Sequence, residues 1–149
     1  MLMKLTVRNN FFETNSSSVH TLIYKNQELE PSELPINNKT GRIIGHLDTF
    51  GCEFDYNDQD MKLSYLLTTL YYLEGYDLER MIESWDFREL EDALIEYTGC
   101  AGLEVADYGD PYIDHQSVPY YGDTIVPWRK QDMLNFIFNK DIVLHSEYD

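Results

Sequence analysis

The chain has 149 residues, of which 27 are acidic and 11 are basic, so its formal net charge is −16 at pH 7. This charge argues against direct binding of nucleic acid or of an anionic membrane surface, because both need cations on the protein. The hydrophobic fraction of 43% and the aromatic fraction of 14% exclude a wholly disordered chain, and the length fits a single domain over residues 1–149.

The N-terminal third predicts three strands separated by loops. Alternating apolar residues predict a strand at Lys4–Arg8, and β-branched and aromatic residues predict a second at Val19–Lys25. We expect these two strands to form a hairpin around the polar segment between them. Prolines and asparagines in Asn26–Thr40 indicate an irregular loop, and Ile43–Leu47 predicts a short third strand.

The middle of the chain predicts three helices. Apolar residues at helical spacing form three inner stripes that should be mostly buried: Leu63, Leu66, Leu67 and Leu70; Leu78, Met81, Ile82 and Trp85; Phe87, Leu90, Leu94 and Tyr97. The predicted N-terminal caps are acidic: Asp58 or Asp60, Asp77, and Asp86, which would form a capping box with Glu89. Gly75 and Gly99 are expected to end the first and third helices.

The C-terminal third completes the predicted fold. Leu103–Val105 predicts a short strand, and a turn-rich stretch runs over Tyr108–Gly122. A last helix over Trp128–Asn139, with Pro127 at its first turn, precedes a final strand at Ile142–His145. Strands at both ends with helices between them predict an α+β fold. It would have a small antiparallel or mixed sheet, built from the N- and C-terminal strands and packed with about four helices.

The acidic residues are concentrated in one stretch. From Glu74 to Asp114 there are 13 acidic residues, opposed only by Arg80 and Arg88. Two like-charged pairs stand four residues apart on predicted helices, which costs a few tenths of a kcal/mol per pair. A row of carboxylates can imitate the phosphates of nucleic acid and bind a basic protein, although a solvated helix face would look the same in sequence. The candidate partner-binding residues are Glu79, Glu83, Glu89, Asp92 and Glu96.

Two histidine-containing segments suggest a catalytic alternative. Three serines precede one histidine at a predicted junction of loop and strand, and an aspartate precedes the other in the turn-rich stretch. The histidines would act as acid and base, and a serine as nucleophile or phosphate cradle. Ordinary turn hydrogen bonding and buried histidines would give the same pattern. The candidate catalytic residues are Ser16, Ser17, Ser18, His20, Asp114 and His115.

The remaining patterns do not predict a metal site or a cofactor. His20, His46, His115 and His145 are far apart, and Cys52 and Cys100 form no CxxC pair. The first residues lack the apolar core of a signal peptide, and no apolar run approaches the roughly 20 residues that span a bilayer. We therefore expect a cytoplasmic protein with free thiols.

Three short motifs carry a resemblance to a known family. Phe12–His20 reads FETNSSSVH, Ile113–Ser117 reads IDHQS, and Phe136–Asn139 reads FIFN. Together they resemble the signatures of a family of uncharacterised bacterial and bacteriophage proteins, and they touch the start, middle and end of the chain. The resemblance implies a bacteriophage or mobile-element origin, and it favours the two histidine segments as a site.

Two functions from different classes remain open at this point. The first is an accessory protein of bacteriophage type that binds and inhibits a basic, nucleic-acid-binding host protein, as in counter-defence by nucleic-acid mimicry. The second is a small hydrolase or transferase that acts on a nucleotide or phosphoester through His20 and His115. Geometry separates them, because the first needs exposed carboxylates on one face and the second needs both histidines in one pocket.

Overall fold

A computed structural model describes residues 2–7, 14–15, 29–51, 54–106, 110–113 and 128–147. The strands in this part of the chain are β1 Leu2–Val7, β2 Thr14–Asn15, β3 Ile43–His46, β4 Thr49–Phe50, β5 Phe54–Tyr56, β6 Leu103–Ala106, β7 Tyr112–Ile113 and β8 Ile142–Glu147. The helices are α1 Gln59–Leu73, α2 Leu78–Glu83, α3 Trp85–Thr98 and α4 Lys130–Phe138. None of these four helices has the length and apolar character needed to cross a membrane.

The fold is α+β, as the sequence predicted. An antiparallel sheet with the order β2-β1-β8-β5 joins the N-terminal strand to the C-terminal strand, with Leu2 opposite Glu147. Two further ladders, β3-β6 and β4-β7, are parallel. The connection from β3 to β6 contains α1, α2 and α3, because parallel neighbours require a long crossover. The parallel ladders were not foreseen.

Most of the predicted elements that fall on described residues are confirmed, with small shifts at their ends. The strand predicted at Lys4–Arg8 is β1, and it pairs with β8 and with β2. The predicted strand Val19–Lys25, and with it the hairpin, lies outside the described residues. The last predicted helix begins at Lys130 rather than Trp128. Cys100 is a free thiol as expected, and Cys52 lies outside the described residues.

Helix α1 lies at the centre of the core. Asp58 caps it, accepting a hydrogen bond from the Met61 backbone N–H at 3.1 Å, and the predicted leucine stripe is fully buried. The helix is buried on more sides than a surface helix, because every residue from Lys62 to Leu70 is buried. Its polar residues must therefore find partners inside the protein.

The predicted inner stripe of α2 is wrong at its C-terminal end. Ile82 is 43% exposed and Trp85 is 74% exposed, whereas Met81 is fully buried. Ser84 explains the difference, because its extended backbone ends α2 and its hydroxyl caps α3 by accepting from the Phe87 N–H at 3.2 Å. The chain turns at Ser84, so Trp85 begins a new helix instead of continuing the old stripe.

The start of α3 also differs from the prediction, because Ser84 and not Asp86 is its cap. The inner face of α3 is confirmed at three of its four predicted residues, and the fourth, Tyr97, is half-buried. Phe87, Leu90 and Leu94 are buried, and Gly99 ends the helix in the left-handed conformation at φ 76°. Glycine suits that position because a side chain there would be strained.

Strand β3 and helix α1 approach closely at Gly45. A Cβ atom added to Gly45 would lie 2.5 Å from the Cδ1 atom of Leu67, which is fully buried. Non-bonded carbon atoms are not found at that distance, so only glycine permits this packing without a shift of the Leu67 side chain or of α1. The close approach sets the position of His46, the next residue of β3, relative to the first turns of α1.

Lys62 is a fully buried lysine on α1. Its Nζ atom donates hydrogen bonds to the carbonyl oxygens of Asn139 and Ile142 at 3.0 and 3.1 Å. Burial lowers the pKa of Lys62 to about 8, and the charge of Asp58 opposes this effect. Because Asn139 follows α4 and Ile142 begins β8, Lys62 links three elements of the fold.

The buried lysine predicts a pH dependence of stability. The free energy of unfolding should rise from pH 8 to about pH 10, because the pKa of Lys62 is about 8 in the folded protein and has its ordinary value of 10.5 in the unfolded chain. The unfolded chain binds more protons in that window, and the slope reaches up to about 1.4 kcal/mol per pH unit. Urea unfolding across the window measures it. Lys62→Met is the control without the titrating group, and equal slopes in both proteins would show that Lys62 is not the cause.

Candidate functional site

The predicted catalytic site comprises six residues. Ser16, Ser17, Ser18, His20, Asp114 and His115 all lie outside the described residues. Their convergence on one pocket therefore stays a prediction. The candidate partner-binding residues all lie on α2 and α3, which the structure describes.

Part of the acidic stretch serves the fold itself. Glu91 pairs with Arg42 at 3.3 Å and accepts a hydrogen bond from the Leu103 backbone N–H at 2.9 Å, so it joins α3 to β6. Asp77 caps α2 through the backbone N–H of Arg80 at 3.1 Å. These carboxylates have structural partners, and they are not available as one continuous row of free charge.

A second group of carboxylates points to solvent along α3. Trp85, Glu89, Asp92 and Glu96 are spaced at i, i+4, i+7 and i+11, which places them on one side of the helix. Trp85, Asp92 and Glu96 are exposed and Glu89 is half-buried. This stripe combines one large aromatic ring with three carboxylates.

Helix α2 continues the exposed acidic surface. Glu79, Ile82 and Glu83, spaced at i, i+3 and i+4, are all exposed. Neither glutamate has an ion pair with another described residue. At the corner between the helices, burial raises the pKa of the half-buried Asp86, and the charges of Glu74 and Glu89 add to the effect. We define the acidic face as Glu79, Ile82, Glu83, Trp85, Glu89, Asp92 and Glu96.

One cation of the chain already lies on the acidic face. Lys130, at the start of α4, donates a hydrogen bond to the Oε1 atom of Glu96 at 2.9 Å. That hydrogen bond raises the pKa of Lys130, and the charges of Glu89 and Asp92 raise it further. The three carboxylates of the α3 stripe therefore act together on a single ammonium group. Sequence reasoning did not foresee this contact.

A separate cleft forms around His46, which sequence reasoning had considered only as an isolated histidine. The Nε2 atom of His46 lies 3.0 Å from Oδ2 of Asp60, and its Nδ1 atom lies 3.8 Å from Oδ2 of Asp48. The side chain of His46 is 16% exposed, whereas those of Asp48 and Asp60 are 43% and 42% exposed. The ring is thus held between two carboxylates that reach solvent.

Polar residues of α1 position this cleft. Asp60, Ser64 and Thr68 are spaced at i, i+4 and i+8, so they form one polar line along a mostly buried helix. The Oγ atom of Ser64 lies 3.4 Å from Nδ1 of His46, and the Oγ1 atom of Thr68 accepts a hydrogen bond from the Asp48 backbone N–H at 3.1 Å. This polar line is the sequence signal that would have revealed the cleft.

The Ser64, His46 and Asp60 side chains form a chain of contacts, but the arrangement does not expose a nucleophile. Ser64 is fully buried, and an attacking oxygen must reach its substrate. Within the described ranges, no group of three or more histidine, cysteine, aspartate or glutamate side chains is placed to hold a metal ion. The cleft is therefore better suited to binding than to nucleophilic attack by Ser64.

Comparisons with protein-family models, with curated proteins and with solved structures found no match. The resemblance drawn from the three short motifs therefore stays a prediction.

Proposed function

We propose that this chain binds a basic, nucleic-acid-binding protein through the acidic face and competes with nucleic acid for it. The observation that carries the proposal is the α3 stripe, where Trp85 is 74% exposed and stands in line with three carboxylates. Burying a tryptophan is among the strongest contributions to the stability of protein interfaces.

The charges supply the specificity of this proposal. A net charge of −16 attracts basic surfaces, speeds their encounter with the chain and repels acidic proteins. Lys130 supports the choice of partner, because it is an ammonium group already bound by the stripe. Lysine and arginine side chains of a nucleic-acid-binding groove would make the same contacts with the carboxylates that they make with phosphates.

The biological setting follows from the sequence motifs and is part of the proposal. The resemblance to bacterial and bacteriophage proteins suggests that the partner is a host protein. An acidic phage protein that occupies the nucleic-acid groove of a host defence protein would inhibit it, which is counter-defence by mimicry. The partner would be captured from host lysate at low salt and identified before the variants are compared.

Trp85→Ala tests the anchor. We expect it to weaken binding of the captured partner at least about tenfold, because a central tryptophan commonly contributes this much. The thermal stability should not fall, since the side chain is 74% exposed. Isothermal titration of the purified partner measures the affinity.

Ile36→Ala is the matched control, because Ile36 is 43% exposed and lies outside α2 and α3. It should leave the affinity unchanged. The unaltered chain should also displace nucleic acid from the partner. Equal affinities of Trp85→Ala and the unaltered chain, or simultaneous binding of the chain and nucleic acid, would contradict the proposal.

A further inference from the structure

Four tyrosine side chains gather where α1 ends. Tyr71 and Tyr72 belong to the last turn of α1, Tyr76 follows it, and Tyr112 comes from β7, which packs against α1. The ring of Tyr76 lies edge to face with the rings of Tyr71 and Tyr72, with centroids 5.3 and 5.6 Å away. Burial raises the pKa of Tyr76, and the charges that Tyr72, Tyr112 and Tyr71 carry when ionised raise it further. We define the tyrosine cluster as these four residues.

The backbone holds Tyr76 in the cluster at an energetic cost. Its φ angle is 59°, and within the described ranges it is the one residue other than glycine in the left-handed region, where an aromatic side chain is disfavoured. The Tyr76 N–H donates to the Tyr71 carbonyl at 2.8 Å, and the Gly75 N–H donates to the Tyr72 carbonyl at 3.1 Å. This pair of hydrogen bonds closes the end of α1 as a Schellman motif. The ring of Tyr76 is therefore held in place before a partner binds, which lowers the entropy cost of binding.

The cluster presents aromatic surface to solvent. Tyr76 is 42% exposed and Tyr112 is 46% exposed, whereas Tyr71 and Tyr72 are half-buried. Tyrosine is enriched at interfaces because its ring is apolar and its hydroxyl stays hydrated. The face of such a ring also attracts cations, and arginine uses this contact more often than lysine does.

Carboxylates surround this aromatic surface. Glu74 and Asp77 stand on either side of Tyr76 in the chain, and the exposed Asp110 lies just before β7. A guanidinium group of the chain already lies here, because the Nη2 atom of Arg80 is 3.8 Å from Oε2 of Glu74. Aromatic rings beside carboxylates fit a flat cation that stacks on a ring and donates hydrogen bonds in its own plane.

We propose that the tyrosine cluster binds an arginine side chain of the basic partner, with the guanidinium group stacked on an exposed tyrosine ring and hydrogen-bonded to a neighbouring carboxylate. Arginine fits better than lysine, because an ammonium group is more strongly hydrated and cannot stack. The cluster is close to the acidic face: burial and then the charge of Glu74 raise the pKa of Asp86, the residue after Trp85. The inference rests on the proposed function for its choice of a basic partner, and it adds arginine to the chemistry of that partner.

Hexa-arginine and hexa-lysine peptides test the inference without the captured partner. Their side chains carry equal charge, so a difference between them reports more than attraction to a negative protein. Tyr76→Asn with Tyr112→Thr removes both exposed rings, and asparagine suits a left-handed backbone as threonine suits a strand. We expect this pair to weaken hexa-arginine binding about tenfold, since it removes two exposed cation–π contacts, and to weaken hexa-lysine binding much less. Isothermal titration measures both affinities.

Tyr76→Phe with Tyr112→Phe is the matched control, because it keeps both rings and should keep the preference for hexa-arginine. Thermal denaturation shows whether each variant is folded, and Tyr76→Asn alone should give a smaller loss in the same direction. Unchanged hexa-arginine binding without the rings, equal losses for the two peptides, or the same loss in the phenylalanine pair would overturn the inference. Trp85 is intact in all of these proteins, so failure here leaves the test of Trp85→Ala unaffected, and failure of that test leaves this titration decisive for the cluster.

Discussion

Reversing Glu79, Glu83, Glu89 and Asp92 to lysine should abolish binding of the basic partner. The four substitutions replace four of the five carboxylates of the acidic face with positive charges. Attraction to a basic groove becomes repulsion, and like charges placed opposite each other across an interface cost several kcal/mol. Titration of the captured partner with the variant should show no binding at concentrations that saturate the unaltered chain.

The fold should tolerate these reversals. Glu79, Glu83 and Asp92 are exposed, Glu89 is half-buried, and replacing one member of a like-charged helix pair relieves repulsion. The free energy of unfolding should hold or improve, as chemical denaturation measures. Retained binding in this folded variant would place the interface elsewhere on the chain.

A matched pair of variants separates a local effect from a general effect of charge. Glu79→Lys with Glu83→Lys changes the net charge by the same amount as Glu33→Lys with Asp110→Lys. Glu33 and Asp110 are also exposed, but they lie outside α2 and α3. We expect only the first pair to weaken binding strongly. Equal losses in the two pairs would mean that net charge, and not the acidic face, drives association.

Leu67→Ala should reduce the free energy of unfolding by about 2–5 kcal/mol, the usual result of removing a buried leucine side chain. Leu67 is fully buried on α1, and its side chain fills the space that Gly45 leaves against β3. The truncation creates a cavity where the helix meets the strand. Urea unfolding measures the loss.

Leu78→Ala is the control for that experiment, because Leu78 is only half-buried at the start of α2. Its loss should be clearly smaller than that of Leu67→Ala. Similar losses at the two positions would contradict the central place of α1 in the core. Because Leu67 also packs α1 against β3, Leu67→Ala should shift the backbone amide resonance of His46 as well.

The sequence predicted the elements that are decided by local patterns. The leucine stripe of α1 and the inner face of α3 repeat at helical spacing, and both are buried as expected. The end of α2 at Ser84 was not predicted, because apolar residues at helical spacing continue through Trp85. The cap formed by Ser84 ends α2 and begins α3 in spite of that apolar pattern. Cap geometry can be recognised in a sequence, but the competition between Ser84 and Asp86 is settled by packing.

The sequence predicted the acidic residues of the candidate site but not the contacts of Lys130 and His46, for a physical reason. The acidic residues of α2 and α3 are close in sequence, so their spacing alone placed them on exposed helix faces. Lys130 reaches Glu96 from α4, and His46 reaches Asp60 across the β3 and α1 packing. Such contacts join residues far apart in the chain, so local spacing does not predict which two residues meet. The sequence signal for such contacts is a polar residue, such as Ser64, within an otherwise apolar helix.

The salt dependence of partner binding tests the central claim most directly. Raising the ionic strength from 0.1 M to 1 M shortens the screening length from about 10 Å to about 3 Å. If the carboxylates of the acidic face carry the interaction, affinity measured by titration should fall steeply over this range, and the dependence should be much weaker in Glu79→Lys with Glu83→Lys. An affinity that is the same at low and high salt would contradict binding through the acidic face.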